Sequence, residues 1–223
     1  MKARYVAGHD LQVLLDPESA AWRGGRAERV QMIGTPSGLQ PTAAVRVSWP
    51  DTKIGAIDRV VIDVAHDGQH LAFRLEWADD SEDRTLGDTT SFPDAAAVVL
   101  PAAKNAPIIT MGAPGLPVNA WYWRADEDGS GRQVVAEGLG TTRTVDRELV
   151  RGHGAWKDGR WRVVIARALR VKTGEPLAQL QPGETTGFGV AVWEGSRGER
   201  AGIKSFSGDW MKLELAALPQ ARR

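Results

Sequence analysis

The chain has 223 residues, 28 Lys plus Arg balanced against 28 Asp plus Glu, and no cysteine. With no net charge and no long basic block, it lacks the field a polyanion partner needs, so nucleic acid is not expected. Without cysteine there can be no disulfide framework, thiolate-held iron–sulfur cluster, Cys-type zinc site or thioether-attached haem, while the length suits one domain, residues 1–223, with a sizeable core.

The N-terminus, Met1 to Asp10, carries two basic residues, but no apolar h-region follows. No run anywhere has the length of a membrane span, so the chain is expected to be soluble. Such an N-terminus fits a cytoplasmic chain, a mature chain, or a subunit exported while docked to a signal-bearing partner. Across residues 1–60 the short apolar runs Leu11–Leu15 and Ala43–Trp49 lie between turn residues and predict edge strands and long loops.

Val60–Ala65 and Leu71–Trp77 alternate apolar with polar residues around His66-Asp67-Gly68-Gln69, which predicts a hairpin with one buried face. Ala78–Asp83 then reads as a solvated acidic turn; its carboxylates could hold calcium, but the glycine and terminal glutamate of an EF-hand loop are missing. Ala95–Leu100, closed by Pro101, predicts a buried central strand.

Thr110–Asp126 is the unusual stretch. Gly112, Pro114, Gly115 and Pro117 exclude a helix and disfavour a central strand, yet Met111, Leu116, Val118, Trp121, Tyr122 and Trp123 are too apolar for a solvated loop. An irregular apolar segment of this kind either closes a core or wraps another subunit or a flat cofactor. Further on, strands are predicted at Val134–Gly138, Thr141–Val145, His153–Trp156, Trp161–Ala168, Gly187–Trp193 and Met211–Leu215, with Asp158-Gly159 turning one hairpin. The fold class is therefore mainly β, a single antiparallel β-sandwich with long loops and few short helices.

Nothing here supplies a hydrolase: there is no Gly-x-Ser-x-Gly motif and no nucleophilic cysteine, and among His9, His66, His70 and His153 only His66 and His70 are close in sequence. Those two flank a turn, where exposed hairpin residues are commoner than metal ligands. A non-covalent redox cofactor would then draw on methionine as its other neutral soft donor. Met1 is terminal, Met32 and Met211 sit in strand-like runs, and Met111 alone lies in an irregular segment bounded by Gly and Pro, although a buried methionine usually just fills a core. Lys204, between Ile203 and Phe206 after a glycine-rich turn, would ordinarily decorate the surface; buried, its amine would shift toward the neutral form.

Thr110-Met111-Gly112-Ala113, Pro117 to Trp123 and Glu199 to Gly208 together resemble the haem b (gamma) subunit of ethylbenzene dehydrogenase and its relatives among the type II dimethyl sulfoxide reductase family of molybdenum enzymes. The resemblance covers about two-thirds of the chain on strand and motif order; the first sixty residues add little to it. It implies a β-sandwich holding one b-type haem, as in a cytochrome b, with Met111 and Lys204 as axial ligands and no catalytic residue of its own. It also implies a molybdopterin (alpha) subunit and an iron–sulfur (beta) subunit as partners, a soluble electron acceptor or donor, and a periplasmic location. The wording of both motifs is closest to the hydrocarbon and sterol hydroxylase branch. Asn119, Trp121 and Arg124 follow Met111 closely enough to line the ring or meet a propionate, the alternative for Arg124 being a surface pair with Asp126 or Glu127. The rival function is a carbohydrate-binding module, for which exposed tryptophans on a sandwich are the usual platform.

Overall fold

The computed structural model describes residues 1–40, 42–87 and 91–219; the expected domain also takes in 41, 88–90 and 220–223, which lie outside them. Among the described residues the strands are β1 (Lys2–Tyr5), β2 (Glu28–Gln31), β3 (Ile33–Gly34), β4 (Arg59–His66), β5 (His70–Ala78), β6 (Ala95–Pro101), β7 (Val118–Arg124), β8 (Arg132–Ala136), β9 (Arg143–Asp146), β10 (Val150–Trp156), β11 (Arg160–Ala168), β12 (Thr185–Trp193), β13 (Ser205–Phe206) and β14 (Met211–Leu215). Two short helices, α1 (Leu11–Leu15) and α2 (Ala43–Ser48), precede β4. The strand order is β10-β11-β5-β4-β1-β14-β12-β6-β7-β8-β9.

That path folds over on itself into a sandwich-like pair of layers. Inward residues of β4, β5 and β11 (Ile62, Phe73, Leu75, Trp161, Ile165) share one core with those of β6, β7 and β12 (Val98, Leu100, Trp121, Trp123, Phe188, Val190). Phe73 meets Trp121 edge-on at 5.9 Å, and Trp123 meets Trp161 edge-on at 5.2 Å. A Cβ on Gly152 or Gly154 of β10 would stand 2.6 or 2.4 Å from the Trp123 ring, so glycine is what lets the second layer's indole press against this strand. The joint between layers is β1: Lys2 and Ala3 pair with β14, Arg4 and Tyr5 with β4, both in parallel, whereas the other pairings are antiparallel.

Both predicted hairpins form with the expected partners, Asp63 opposite Arg74 and Gly154 opposite Val163. Several expectations need correcting. Leu11–Leu15 is a helix, capped by the Asp10 carboxylate that accepts the Val13 N–H, because Leu11, Leu14 and Leu15 stand at helical spacing and cover the outer face of β4, β5 and β11. Ala43–Ser48 is also helical, with Thr42 as its cap. His66 is not an exposed hairpin residue: it is fully enclosed, neither ring nitrogen has a hydrogen bond among the described residues, and burial lowers its pKa. Six of the nine tryptophans (22, 77, 121, 123, 161 and 193) are buried in the core rather than presented as a platform. No helix among the described residues is long and apolar enough to cross a membrane.

Candidate functional site

The irregular stretch divides in two. Val118–Arg124 is a regular strand between β6 and β8, contrary to the expectation, because the prolines and glycines all lie before it. Residues 107–116 do form turns. The Met111 N–H donates to the Ile108 carbonyl at 2.9 Å, the Gly112 N–H to Pro107 at 2.8 Å, and the Met111 carbonyl accepts from Gly138 at 3.0 Å. Met111 and Gly112 are both left-handed, at φ 55° and 87°. For methionine that conformation is unfavourable and is held by the surrounding bonds, a kind of strain concentrated at functional positions. It lays the thioether side chain against Val99, Ala120, Val134 and Ala136 on the outer face of β6, β7 and β8.

This outer face is made of small side chains. Ala95, Ala97 and Val99 of β6 alternate with core-facing Ala96, Val98 and Leu100, and Ala191 and Trp193 of β12 continue the face beyond Met111's end of it. Tyr122 borders both the Met111 cluster and the Trp193 cluster, its ring edge-on to Trp193 at 5.3 Å. Burial pushes its hydroxyl up to about 12.

Lys204 stands over Trp193, with Nζ 5.6 Å from the ring centroid. The residue is only half-buried, but its amine is desolvated: among the described residues it has no hydrogen bond or ion pair, and burial pushes its pKa down to about 8 against the opposing pull of Glu199. The surrounding loop is fixed from several directions. The Lys204 carbonyl accepts both the Thr35 N–H (3.0 Å) and the Thr35 hydroxyl (2.9 Å), and the Gln40 amide donates to the Gly202 carbonyl at 3.1 Å. Trp193 Nε1–H donates to the Ala201 carbonyl at 3.0 Å. Buried Glu199 accepts the N–H groups of Gly55 (2.8 Å), Ala56 (3.0 Å) and Glu194 (3.1 Å). Thr35, Gln40, Gly55 and Ala56 therefore brace the Lys204 loop, a role the sequence left unseen because each bond is made by backbone or by a lone polar side chain. β3 pairing with β13 completes the brace.

Of the other predicted site residues, Asn119 and Trp121 do not face Met111. The two-residue period of β7 sends Val118 and Ala120 to its side and turns Asn119 and Trp121 inward. There the Asn119 amide donates to the Pro176 carbonyl at 3.0 Å and its oxygen accepts the Ala178 N–H, while Trp121 lies 4.8 Å beneath the guanidinium of buried Arg167. Arg124 is on the outer side but forms a forked ion pair with Asp126, at 2.8 and 2.6 Å. Tyr122 and Trp193, which the motif argument passed over, occupy the positions next to the two candidate donors.

The donor set suits a haem. A thioether and a neutral amine are both uncharged donors, and they border one face of small side chains, Ala95, Ala97, Val99, Ala120 and Ala191, all of them buried. The carboxylate near Lys204, that of Glu199, is occupied by three backbone N–H groups, and the chain has no thiolate.

The sequence model of a family described as Ethylbenzene dehydrogenase matches residues 19–148 and 138–205. The heme subunit ORF7 ascribed to a respiratory nitrate reductase of Haloferax mediterranei is 36% identical over 92% of this chain and 69% of its own length. Chlorate reductase subunit gamma of Ideonella dechloratans is 32% identical over 94% of this chain and 82% of its own length. Dimethylsulfide dehydrogenase subunit gamma of Rhodovulum sulfidophilum is 27% identical over 88% and 73%. Among solved structures, a family 9 carbohydrate-binding module from Caldicellulosiruptor kristjanssonii, in complex with cellotriose, superposes with a TM-score of 0.51 at 9% identity, covering 100% of this chain and 97% of that one. At that identity the likeness concerns the fold alone.

Proposed function

We propose a function from one premise: this chain belongs to the ethylbenzene dehydrogenase family. On that premise it is the electron-transfer subunit of a multi-subunit molybdenum oxidoreductase, a gamma-type chain with no substrate pocket of its own. Its partners are a molybdopterin subunit and an iron–sulfur subunit, and it exchanges electrons between the latter's clusters and a soluble acceptor or donor. Two of the relatives are named as gamma subunits and one as a heme subunit, which supports this assignment.

The residues that hold the haem are Met111 and Lys204, and the observation that carries the reading is the Lys204 amine. A lysine whose ammonium is desolvated over an indole, without an acceptor, is expensive to keep protonated and ready to act as a neutral donor. Haem b bound there supplies a one-electron iron couple whose potential thioether ligation raises. This chain's own part would be to hold Met111 left-handed against the sheet and to keep water from the Lys204 amine, which could serve as a ligand only in its neutral, deprotonated form. Tyr122 and Trp193 stand next to the two donors, and Arg124, paired with Asp126, would have to share its guanidinium to hold a propionate.

The substrate is the business of the partner subunits. The motif wording favours a hydrocarbon or sterol side-chain hydroxylase, whereas the relatives named for nitrate and chlorate favour an oxyanion reductase; assaying the purified complex on both classes decides. A periplasmic location is part of the same reading and is tested by fractionating cells that make the whole complex.

The ligand assignment predicts a red protein with a Soret band. Met111→Ala and Lys204→Ala should each alter the haem spectrum and lower the midpoint potential or the haem content. Spectra unchanged in both variants remove the assignment. Colourless protein that takes up no haem and is retained on polysaccharide transfers the chain to the carbohydrate-binding reading, although the burial of most of its tryptophans already weighs against that outcome.

A further inference from the structure

Away from the amine and thioether, three acidic side chains from distant parts of the sequence come together. Asp79 follows β5, Asp94 precedes β6 and Glu194 follows β12, and one carboxylate oxygen of each lies within 4.8 Å of the others. They are 5%, 0% and 5% exposed. Among the described residues the one ion pair made by the three is with Arg197, whose Nε is 3.8 Å from Glu194 Oε2 but whose side chain is 76% exposed. Most of the carboxylate oxygens are supplied with donors. Asp94 accepts the N–H groups of Asp83 (2.9 Å), Gly195 (2.8 Å) and the Trp161 indole (2.9 Å). Asp79 accepts from Ser81 (3.1 Å) and the Trp77 indole (3.3 Å), and Glu194 Oε1 accepts from Ser196 (3.1 Å). Glu194 Oε2 is enclosed and accepts no hydrogen bond among the described residues. An enclosed anionic oxygen left bare beside two further carboxylates is a costly arrangement unless something positive belongs there.

We propose that Asp79, Asp94 and Glu194 form a calcium site that clamps the base of the Lys204 loop. The donors are all carboxylate oxygens, with no histidine or cysteine among them, which selects a hard cation over zinc, copper or iron. The three oxygens, all within 4.8 Å of one another, can contact one ion together, and an all-carboxylate cage supplied by the protein suits calcium, whereas magnesium dehydrates reluctantly and usually keeps several waters. Asp79 and Glu194 also line a groove of about 1070 Å³ together with Asp80, Ser81 and Ser196, which admits the ion and the waters that complete its coordination. Desolvation, reinforced by the neighbouring carboxylates, pushes Asp94 up to about 7 and Asp79 up to about 6, a repulsion that a divalent cation removes. Only Asp79 comes from the acidic turn the sequence offered as a calcium loop, and that residue is buried rather than solvated.

The site is joined to the loop through Glu194, whose N–H donates to Glu199, the carboxylate that acts on Lys204. Calcium would therefore fix the start of residues 194–204 whether or not a porphyrin is bound, and its test is separate from the haem assignment.

The full chain is stripped with EGTA and titrated with calcium chloride in a calorimeter, with thermal unfolding and amide exchange followed in parallel. One calcium per chain, a Tm that rises to saturation and slower exchange across 194–204 are expected. Glu194→Gln should weaken binding by about 10-fold or more, and Asp79→Asn likewise, the second variant serving if the first does not fold. Glu175→Gln, in an exposed pair with Arg143, should bind as the parent does. Absence of any calcium response at millimolar concentration, an equal response to magnesium, or unchanged affinity in both cluster variants overturns the site.

Discussion

At the scale of single residues, Lys204 carries the most information, because its environment can be read as a titration. Its amine has a pKa of about 8 in the folded chain, whereas an unfolded lysine keeps its proton up to the ordinary value of 10.5. Between those two values the unfolded chain holds the extra proton, so the stability of the haem-free protein should rise as pH increases from about 8 to about 10.5. Lys204→Met should flatten that rise, as read from urea midpoints at several pH values; a slope unchanged by the substitution would place the amine in water. The sequence offered Lys204 only through its motif, since a lysine between Ile203 and Phe206 has no period or spacing that announces burial. Asn119 and Trp121 failed for the opposite reason: proximity to Met111 along the chain says nothing of which face a strand residue occupies until the strand itself is recognised.

At the scale of elements, the turn carrying Met111 depends on its glycine. Gly112 has φ 87°, and a Cβ there would stand 2.7 Å from the Ala136 carbonyl and 2.8 Å from that of Leu116. Gly112→Ala should therefore cost about 1–3 kcal/mol, seen as a lower urea midpoint, and on the proposed ligation by Met111 it should also shift the haem spectrum as the turn relaxes. A wild-type midpoint would mean that the turn can rearrange freely. The paired hairpins β4–β5 and β10–β11 were legible because alternation and Asp-Gly turn chemistry agree. The helix α1 was not, since five residues are too few to separate helical spacing from a short apolar strand, and the Asp10 cap is the sign that resolves it. Calling the whole of Thr110–Asp126 irregular let its prolines and glycines speak for seven residues beyond them that are ordinary strand.

At the scale of the whole molecule, the two layers are held by more than apolar packing. Arg167 is fully enclosed without a carboxylate; its guanidinium donates to Ala168 (3.0 Å), Ala178 (2.5 Å) and the Gln133 side chain (3.1 Å), and lies over the Trp121 ring. It thus ties β11 to β8 and to the 176–180 segment across the core. Arg167→Ala leaves those acceptors bare and should cost about 3 kcal/mol, measurable as a fall in Tm, while full wild-type stability would show that water replaces the guanidinium. The sandwich class was legible from strand spacing; the parallel joint at β1 and this buried cation were not, because pairing partners far apart in sequence leave no local trace.

The brace beneath the candidate lysine spans 169 residues from Thr35 to Lys204. A nascent chain thus has one half of this support long before the other exists, and local folding alone cannot assemble it. Contacts so distant form late. On the proposed ligation, iron acquired through that lysine would accordingly mark the end of maturation rather than its beginning, and a colour that develops only after the tertiary structure has closed would act as the molecule's own seal of completion.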